Sequence, residues 1–125
     1  MPSIADRLQK RLIWMGGDAE TLAGARTLLP KEWSLTEAAS LEEFSDWQEI
    51  LLHRFLVLNL EEGVVEEPVE VVLQIRQEFQ LNIPIFCYGG SRETRMEARS
   101  ARADRFFERD EILEKLPDFL RQFSW

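Results

Sequence analysis

Short apolar runs of strand length alternate with segments of helical period along this chain, and the alternation repeats five times. The strand-length runs occupy residues 12–15, 33–39, 55–58, 83–88 and 105–107. Strands that alternate with helices build a parallel sheet, because each right-handed crossover places its helix against one face of the sheet. The run at 55–58 contains no polar residue, as expected of a strand covered on both faces. We therefore predict an α/β domain with a five-stranded parallel sheet and helices on both faces.

The helical segments open with residues that favour helix starts. Those residues are Asp18, Ser40, Pro68, Ser91 and Asp110. Ser40 and Glu43 have the spacing of a capping box, which predicts a second helix. Its predicted buried stripe consists of Leu41, Phe44, Trp47, Leu51 and Leu52. The fourth helix is predicted to run from Ser91 to about residue 102. Residues 1–9 are predicted to be a short extension, with a helix as one option, before a single domain at 10–125.

Charge and composition exclude several classes of function. The 125 residues suit one domain, and 23 acidic against 15 basic residues give a net charge of −8. An acidic chain is a poor nucleic-acid binder, because binding phosphates requires a cationic surface. The single cysteine excludes an internal disulfide and a cysteine-rich zinc site. The single histidine disfavours a metal cluster and catalysis by histidine. No apolar run is long enough to span a bilayer, and residues 1–10 are too polar for a signal peptide. We expect a soluble, cytoplasmic protein with no nucleic-acid or membrane partner.

Four stretches of the chain resemble, in their local sequence, segments of one known protein family. They are TEAASLEEF (36–44), FLVLNL (55–60), IPIFCYGG (83–90) and RADRFFERDEILEKL (102–116). In this order they resemble the second, third, fourth and fifth strands, with adjoining helices, of the receiver domain of bacterial two-component response regulators. The resemblance covers about residues 10–124. It implies the flavodoxin-like, CheY-like strand order 2-1-3-4-5, with the site residues beyond the carboxyl ends of the strands.

The residues that perform the chemistry of that family are replaced in this chain. The resemblance places the magnesium-binding acidic pair on Gly16 and Gly17, although a shift by one residue would include Asp18. The other matched positions are the phosphoacceptor aspartate at Asn59, the strand hydroxyl at Gly89 and the invariant lysine at Arg109. A neutral amide cannot form an acyl phosphate, and glycines offer magnesium no anionic oxygen. The resemblance is therefore to a degenerate pseudo-receiver, with no aspartyl phosphorylation, catalytic residue, metal or cofactor.

Arginines recur at helical spacing after the fourth strand. Arg92, Arg95, Arg99 and Arg102 are three, four and three residues apart, which predicts one helix face, and Arg105 extends the patch. The resemblance adds Phe106, where receivers often carry a switch aromatic, although packing is its simpler role. Arginine is enriched at protein interfaces, so the patch predicts docking of an acidic protein or a second copy. The alternative is a solvated helix face with intrahelical Glu–Arg pairs.

Several other features are open to a structural or a functional interpretation. Residues 61–70 carry an acidic run, interpreted as a solvated loop and helix start, with a metal site or association with the arginines as alternatives. Cys87 is predicted to be a buried structural cysteine, and His53 a helix-end residue. Trp14 is predicted to fill the core, whereas the remaining tryptophans, Trp33, Trp47 and Trp125, are expected to be partly exposed.

Together these observations predict a non-catalytic signalling or adaptor module. It would bind a partner, or a second copy, through its fourth helix, fifth strand and fifth helix without phosphorylation. The alternative is a sensor in which a small ligand replaces phosphate near Gly16, Gly89 and Arg109, although tight turns explain the paired glycines more simply. An enzyme on the same frame is the weakest hypothesis, because the sequence contains no nucleophile–base pair or metal set.

Overall fold

A computed structural model describes residues 8–125 of the chain. Its strands are β1 (Lys10–Met15), β2 (Trp33–Ala38), β3 (Phe55–Asn59), β4 (Ile85–Tyr88) and β5 (Arg105–Phe107). Its helices are α1 (Ala19–Leu28), α2 (Trp47–Ile50), α3 (Pro68–Leu73), α4 (Arg92–Ser100) and α5 (Ile112–Gln122). A 3₁₀ turn at Leu41–Glu43 precedes α2, and a π-helical turn at Gln74–Glu78 continues α3. Most of the extension predicted at 1–9 lies outside the described residues.

The five strands form one parallel sheet in the order β2-β1-β3-β4-β5. This confirms the predicted fold class and strand order. β3 is the central strand, and each of its five residues is buried. Because the strands are parallel, the residues after β1, β3 and β4 meet at one edge of the sheet. Gly16, Asn59 and Gly89 therefore share that edge.

Hydrophobic side chains leave the sheet on alternate sides and build one cluster on each face. Leu56 and Leu58 of β3 pack in the cluster that contains Ala98 of α4. Phe55 and Val57 of the same strand pack in the opposite cluster, under α1 and α5. Covering on both faces explains why β3 is apolar throughout. The same covering leaves the strand ends as the place where polar side chains collect.

Three predicted helix starts are present in the structure. Asp18 Oδ1 accepts a hydrogen bond from the Thr21 N–H at 2.7 Å and caps α1. Ser91 Oγ accepts one from the Thr94 N–H at 3.1 Å and caps α4. Pro68 is the first residue of α3. Two of these caps come just after β1 and β4, so they set the direction of the chain at the strand ends.

The predicted second helix is wrong in length. The Glu43 carboxylate accepts from the Ser40 N–H at 2.9 Å as a capping box requires, but only a 3₁₀ turn follows. Asp46 then caps a separate, four-residue α2 by accepting from the N–H groups of Gln48 and Glu49. Side-chain acceptors of this kind compete with a continuing helix. The predicted stripe is split in consequence, with Leu41 and Phe44 buried, Leu52 half-buried and both Trp47 and Leu51 exposed.

Elements next to Arg76 also differ from their predicted bounds. This buried arginine donates to the carbonyls of Leu81, Ile83 and Arg102 and to the carboxylate of Asp104. The carbonyl of Ile83 is therefore turned toward the guanidinium, and β4 begins at Ile85 rather than at residue 83. A single buried side chain thus fixes the segments before β4 and before β5.

Helix α4 ends two residues earlier than predicted. It stops at Ser100, and Arg102 has a φ of 79°, in the left-handed region that ends helices. The Ala103 N–H donates back to the Ala98 carbonyl at 3.0 Å. Arg102 is therefore not on the helix face to which its spacing had assigned it. Helix α5 likewise begins at Ile112 instead of Asp110, after a turn in which Glu111 Oε1 accepts from the Glu108 N–H.

The tryptophans divide into two buried and two exposed rings. Trp14 is buried as predicted, and Trp47 and Trp125 are exposed. The expectation for Trp33 is wrong, since it is buried with its ring centroid 5.8 Å from that of Phe55. None of the helices in residues 8–125 has the length and apolar character that crossing a bilayer requires.

Candidate functional site

The strand-end locus, which we define as Gly16, Gly17, Asn59 and Gly89, lies at the carboxyl edge of the sheet. Asn59 is the last residue of β3, and the glycines directly follow β1 and β4. In the receiver resemblance, Gly16 and Gly17 occupy the positions of the acidic pair. Asn59 occupies the position of the phosphoacceptor, and Gly89 that of the strand hydroxyl. The structure brings these positions together, but each is occupied by a group with a different geometry.

Asn59 uses both ends of its side-chain amide. Its Nδ2 donates to the Gly16 carbonyl at 2.8 Å, and its Oδ1 accepts from the Glu61 N–H at 2.8 Å. The residue is 8% exposed. A carboxylate could accept from Glu61 but could not donate to Gly16. The amide therefore joins the loop after β1 to the loop after β3, a task that an ionised aspartate cannot perform.

The two glycines after β1 have no room for side chains. Gly16 has a φ of +84°, and a Cβ there would lie 2.6 Å from Val65 Cγ2 and 2.9 Å from Asn59 Cβ. A Cβ on Gly17 would lie 2.7 Å from the Leu22 side chain. Val65 and Leu22 are buried, so they cannot easily move aside. Side chains of the hydrophobic core therefore fill the space next to both glycines.

Gly89 is restricted in the same way by a charged neighbour. Its φ is +69°, and a Cβ would lie 2.5 Å from Glu61 Oε1. The Glu61 carboxylate thus lies over the position where the resemblance expects a hydroxyl side chain. Gly90 follows with a φ of +82° and lies against the backbone of Leu60. These tight turns agree with the simpler interpretation of the glycine pairs.

Arg109 reaches the edge of this locus and pairs with Asp18. Its NH2 lies 3.5 Å from Asp18 Oδ2, and both side chains are exposed. The pKa of Asp18 is lowered chiefly by the hydrogen bond from the Thr21 backbone, with Arg109 as a smaller cause. The only acid that a shifted register could supply is therefore engaged in capping α1.

An open cleft of about 700 Å³ lies beside the strand-end locus. Its apolar lining residues include Trp14, Leu22 and Val64. Its charged lining residues are Asp18, Glu37, Glu43, Glu61, Glu62 and Arg109. Five carboxylates against one guanidinium disfavour a phosphate-like anion. Gly89, which the ligand-sensor alternative requires, is not part of its lining. Within residues 8–125, no group of three or more His, Cys, Asp or Glu side chains is placed to hold a metal ion.

The predicted arginine patch separates into engaged and unengaged side chains. Arg95 is half-buried, donates from Nε to the Gly89 carbonyl at 2.9 Å, and binds both carboxylate oxygens of Glu108 at 3.0 and 3.1 Å. The hydrogen bonds with Glu108 are the main cause that raises the pKa of Arg95, and those with Arg95 are the main cause that lowers the pKa of Glu108. Arg102 is tied to Arg76, because it donates from NH2 to the Arg76 carbonyl at 3.3 Å.

Three exposed arginines of the patch form neither a side-chain hydrogen bond nor an ion pair with the described residues. In the described part of the chain, Arg92, Arg99 and Arg105 form no ion pair. Arg99 lies over the ring of half-buried Phe106, with its Cζ 5.0 Å from the ring centroid. Phe106 packs against the core cluster on the α4 side of the sheet. The exposed guanidinium groups thus lie along α4 and at the start of β5.

The acidic run after β3 borders a groove that the sequence did not predict. Glu61, Glu62, Glu67 and Glu70 line its upper part, together with Glu97 of α4. The groove continues between α3 and α4 over Val69, Leu73 and Met96. Met96 is 59% exposed. The available signal was the four-residue spacing of Glu93 and Glu97, which places both acids on one side of α4, where Arg92 also lines the groove.

The single cysteine and the single histidine are both buried structural groups. Cys87 is fully buried, and burial raises the pKa of its thiol to about 12, which keeps it protonated. His53 Nδ1 donates to the Glu49 carbonyl at 3.0 Å, and its Nε2 accepts from Thr36 Oγ1 at 3.0 Å. Burial is the main cause that lowers the pKa of His53. Neither group is placed for nucleophilic or acid–base chemistry.

Solved structures match this chain in fold. A response regulator receiver protein from Pseudoalteromonas atlantica is 17% identical over 90% of this chain and 95% of that one, with a TM-score of 0.69. The phosphorylated cyanobacterial phytochrome response regulator RcpA is 8% identical, with 92% and 93% covered and a TM-score of 0.69. The BeF3-activated DrrB receiver domain is 15% identical, with 90% and 95% covered and a TM-score of 0.67. No family model and no curated protein matches the sequence. These likenesses show that the chain has the CheY-like fold of receiver domains.

Proposed function

We propose that this chain is a signalling module that uses the receiver fold as a scaffold for protein binding and works without aspartyl phosphorylation. It binds an acidic protein surface, on another protein or on a second copy, through the face formed by α4, β5 and α5. The residues of this face are Arg92, Arg95, Arg99, Arg102, Arg105 and Phe106. The proposal includes a cytoplasmic location and no enzymatic activity.

The observation that carries the proposal is the double hydrogen bond of Asn59. Its amide holds the Gly16 carbonyl and the Glu61 N–H at once, so it stabilises one closed arrangement of the two loops. In a phosphorylated receiver, the corresponding side chain would have to bear a phosphoryl group and metal ligands around it. Here the surrounding space contains the side chains of Val65, Leu22 and Glu61.

The arginine face supports the binding part of the proposal. Arg92, Arg99 and Arg105 are exposed and have no carboxylate partner within residues 8–125. Guanidinium groups bind carboxylates with two parallel hydrogen bonds, which makes them effective at interfaces. A chain with net charge −8 that concentrates free arginines on one face favours an acidic partner there.

The phosphorylation part is tested by incubation with acetyl phosphate and magnesium, followed by intact-protein mass spectrometry at neutral pH. We expect no stable phosphoryl adduct on the wild type or on the Asn59→Asp variant. A receiver domain with its full acidic set serves as the positive control. A stoichiometric phosphoryl adduct on the wild type that maps to Asp18 or to another carboxylate of the cleft beside the strand-end locus would overturn the proposal.

The binding part is tested by capture from the cytosol of the source cells. We compare the wild type with an Arg92→Glu/Arg99→Glu variant and with an Arg26→Glu/Lys31→Glu variant that has the same net charge and loses only the exposed Arg26–Glu37 pair. Arg95 is left unchanged because it is bonded inside the fold. We expect a protein retained by the wild type and by the control but lost from the Arg92/Arg99 variant. Equal retention by all three would show that the α4 arginines do not form the binding face.

The sensor alternative has no supporting observation in the cleft. A ligand that replaced phosphate would meet five carboxylates and a single arginine that is already paired with Asp18. We therefore do not extend the proposal to a small anionic ligand.

A further inference from the structure

The groove between α3 and α4 has apolar side chains along its centre that the fold covers only in part. One part, of about 850 Å³, lies beside the loop after β3, and a second part of about 750 Å³ lies farther along the helices. Val69 and Glu97 line both parts, so the groove is continuous. Val69 and Leu73, four residues apart on α3, are half-buried, and Met96 of α4 is 59% exposed. Apolar surface is therefore available to a partner here.

Carboxylates surround this apolar centre. They belong to Glu61, Glu62, Glu67, Glu70, Glu93 and Glu97. Within residues 8–125, none of these six side chains forms an ion pair. Among the described residues, Arg92 is the one cation that also lines the groove, at the start of α4. Six negative charges against one positive charge give the groove a negative potential that attracts a cationic partner.

The shape and chemistry of the groove together suit a helix. Two helices form its walls, and they offer no row of unpaired strand N–H and C=O groups to which a partner could add a strand. An amphipathic helix can lie in such a groove with its apolar face on Val69, Leu73 and Met96. Basic side chains on its two sides then lie next to the carboxylates of both walls. An acidic helix would meet repulsion there, and a wholly polar cation would leave the apolar centre uncovered.

We propose that the α3–α4 groove binds a basic amphipathic helix of another protein. Apolar side chains of that helix, spaced three and four residues apart, contact the centre of the groove. Its lysines or arginines pair with Glu70 on the α3 wall and Glu97 on the α4 wall. Met96 adapts to the apolar face of the partner, because its thioether side chain is flexible. This docking surface goes beyond the proposed function, since it selects a partner of the opposite charge.

Fluorescence anisotropy with a labelled synthetic peptide tests the groove. The peptide repeats the unit Leu-Lys-Lys-Leu-Leu-Lys-Lys, which places leucines on one helix face and lysines on both sides of it. We expect saturable binding to the wild type. A peptide with glutamates in place of the lysines, and a lysine peptide with its sequence scrambled, should bind much more weakly.

Charge reversal on the two walls shows where the peptide binds. Glu70→Lys/Glu97→Lys should raise the dissociation constant about tenfold or more, because one reversed charge then lies on each side of the peptide. Glu20→Lys/Glu114→Lys is the matched control, with the same change in net charge. Its residues are exposed on α1 and α5, which cover the other face of the sheet. The control should bind the peptide as the wild type does.

Met96→Glu separates the apolar contact from general attraction between opposite charges. The substitution adds a carboxylate to the groove, so charge alone would strengthen binding of the lysine peptide. We expect instead a dissociation constant raised about fivefold, because a charged side chain cannot cover the leucines of the peptide. Leu51→Glu makes the same charge change at another exposed apolar residue, outside the groove, and should leave the dissociation constant unchanged. Circular dichroism and thermal melting confirm the fold of each variant.

Four results would overturn the groove proposal. The first is a wild type that does not bind the lysine peptide, and the second is equal weakening in the Glu20/Glu114 control. The third is a Met96→Glu variant that binds as tightly as the wild type or more tightly. The fourth comes from sedimentation equilibrium without peptide, where a wild-type dimer that Met96→Glu dissociates would show that a second copy covers the groove.

Arg92→Gln distinguishes this proposal from the proposed function. Removing the guanidinium from the groove should lower the dissociation constant of the lysine peptide about twofold, whereas loss of the same group should weaken an acidic partner on the arginine face. A weaker peptide complex in this variant would contradict binding in the groove. The capture and phosphorylation measurements concern other residues, so either proposal can fail while the other stands.

Discussion

The strand-end locus and the exposed arginines of α4 differ in how their polar groups are satisfied. Asn59 has its donor and its acceptor bonded inside the fold, and the space around the neighbouring glycines is filled. Arg92 and Arg99 are exposed and have no carboxylate partner among the described residues, and Arg99 lies over the Phe106 ring. A polar group that is already bonded gains little from a ligand, whereas an unpaired guanidinium has its interactions still to make. The first region therefore stabilises the fold, and the second is available for binding.

The largest expected effect comes from restoring an acid at the strand-end locus. Gly16→Asp should lower the free energy of unfolding by about 3 kcal/mol, because its φ of +84° disfavours any side chain and its Cβ would meet Val65 and Asn59. Urea unfolding measures the loss. Gly63→Asp is the matched control, since Gly63 has a φ of +80° but nothing within 4 Å of a Cβ. The control should lose only about 1 kcal/mol. Equal losses in the two variants would show that the locus is not closely packed.

A smaller effect is expected when the Asn59 amide becomes a carboxylate of the same shape. Asn59→Asp should cost about 1–3 kcal/mol at neutral pH, because the donor to the Gly16 carbonyl is lost and two oxygen acceptors then face each other. Asn82→Asp makes the same atom change on an exposed residue and should be close to neutral. The comparison uses urea unfolding of both variants at the same pH. If Asn59→Asp is as stable as Asn82→Asp, the amide does not hold the two loops together.

His53 extends the comparison to a titratable group that is satisfied inside the fold. Burial lowers its pKa below the ordinary 6.5, so protonation favours the unfolded chain. Its contribution to stability is fully present above pH 6.5 and is lost as the pH falls below 6.5 toward the lowered pKa. The slope cannot exceed about 1.4 kcal/mol per pH unit for one proton. We expect urea unfolding of the wild type between pH 7.5 and 5.5 to show this loss.

The His53→Gln variant provides the reference for that measurement. It retains a polar side chain near Thr36 and Glu49 but cannot titrate in this range. Its stability should change less than that of the wild type over the same interval. Parallel pH profiles for the two proteins would mean that His53 has an ordinary pKa or is already exposed to water in the folded state.

The local sequence pattern predicted the fold far better than it predicted the contacts of the candidate site. The alternation of strand-length and helical segments predicted the parallel sheet. A strand that is buried on both faces is apolar throughout, so β3 could be recognised from its own residues without knowledge of the rest of the chain. The second helix failed because the acceptors of Asp46 and Glu49 interrupt it within two turns. Helical periodicity grouped Arg95 and Arg102 with Arg92 and Arg99, because spacing along the chain carries no information about contacts between residues that are distant in sequence. Glu108 and Gly89 engage Arg95, and the left-handed turn at Arg102 takes that residue off the helix.

The difference between bonded Arg95 and unbonded Arg92 predicts the smallest change in the free energy of unfolding. It also gives the most direct separation of effects on stability from effects on binding. Arg95→Gln removes a bond to the Gly89 carbonyl and a paired contact with Glu108, but solvent screens an exposed partner, so the cost should be only about 0.5–1 kcal/mol. Arg92→Gln removes no internal bond and should change the free energy of unfolding by less than about 0.3 kcal/mol. Binding should follow the opposite order, because Arg92 has its guanidinium free and Arg95 does not. Urea unfolding and sedimentation equilibrium on the same two variants measure both quantities. If Arg95→Gln weakens association more than Arg92→Gln does, the internal contacts of Arg95 position the binding face, and the two regions are coupled through the loop at Gly89.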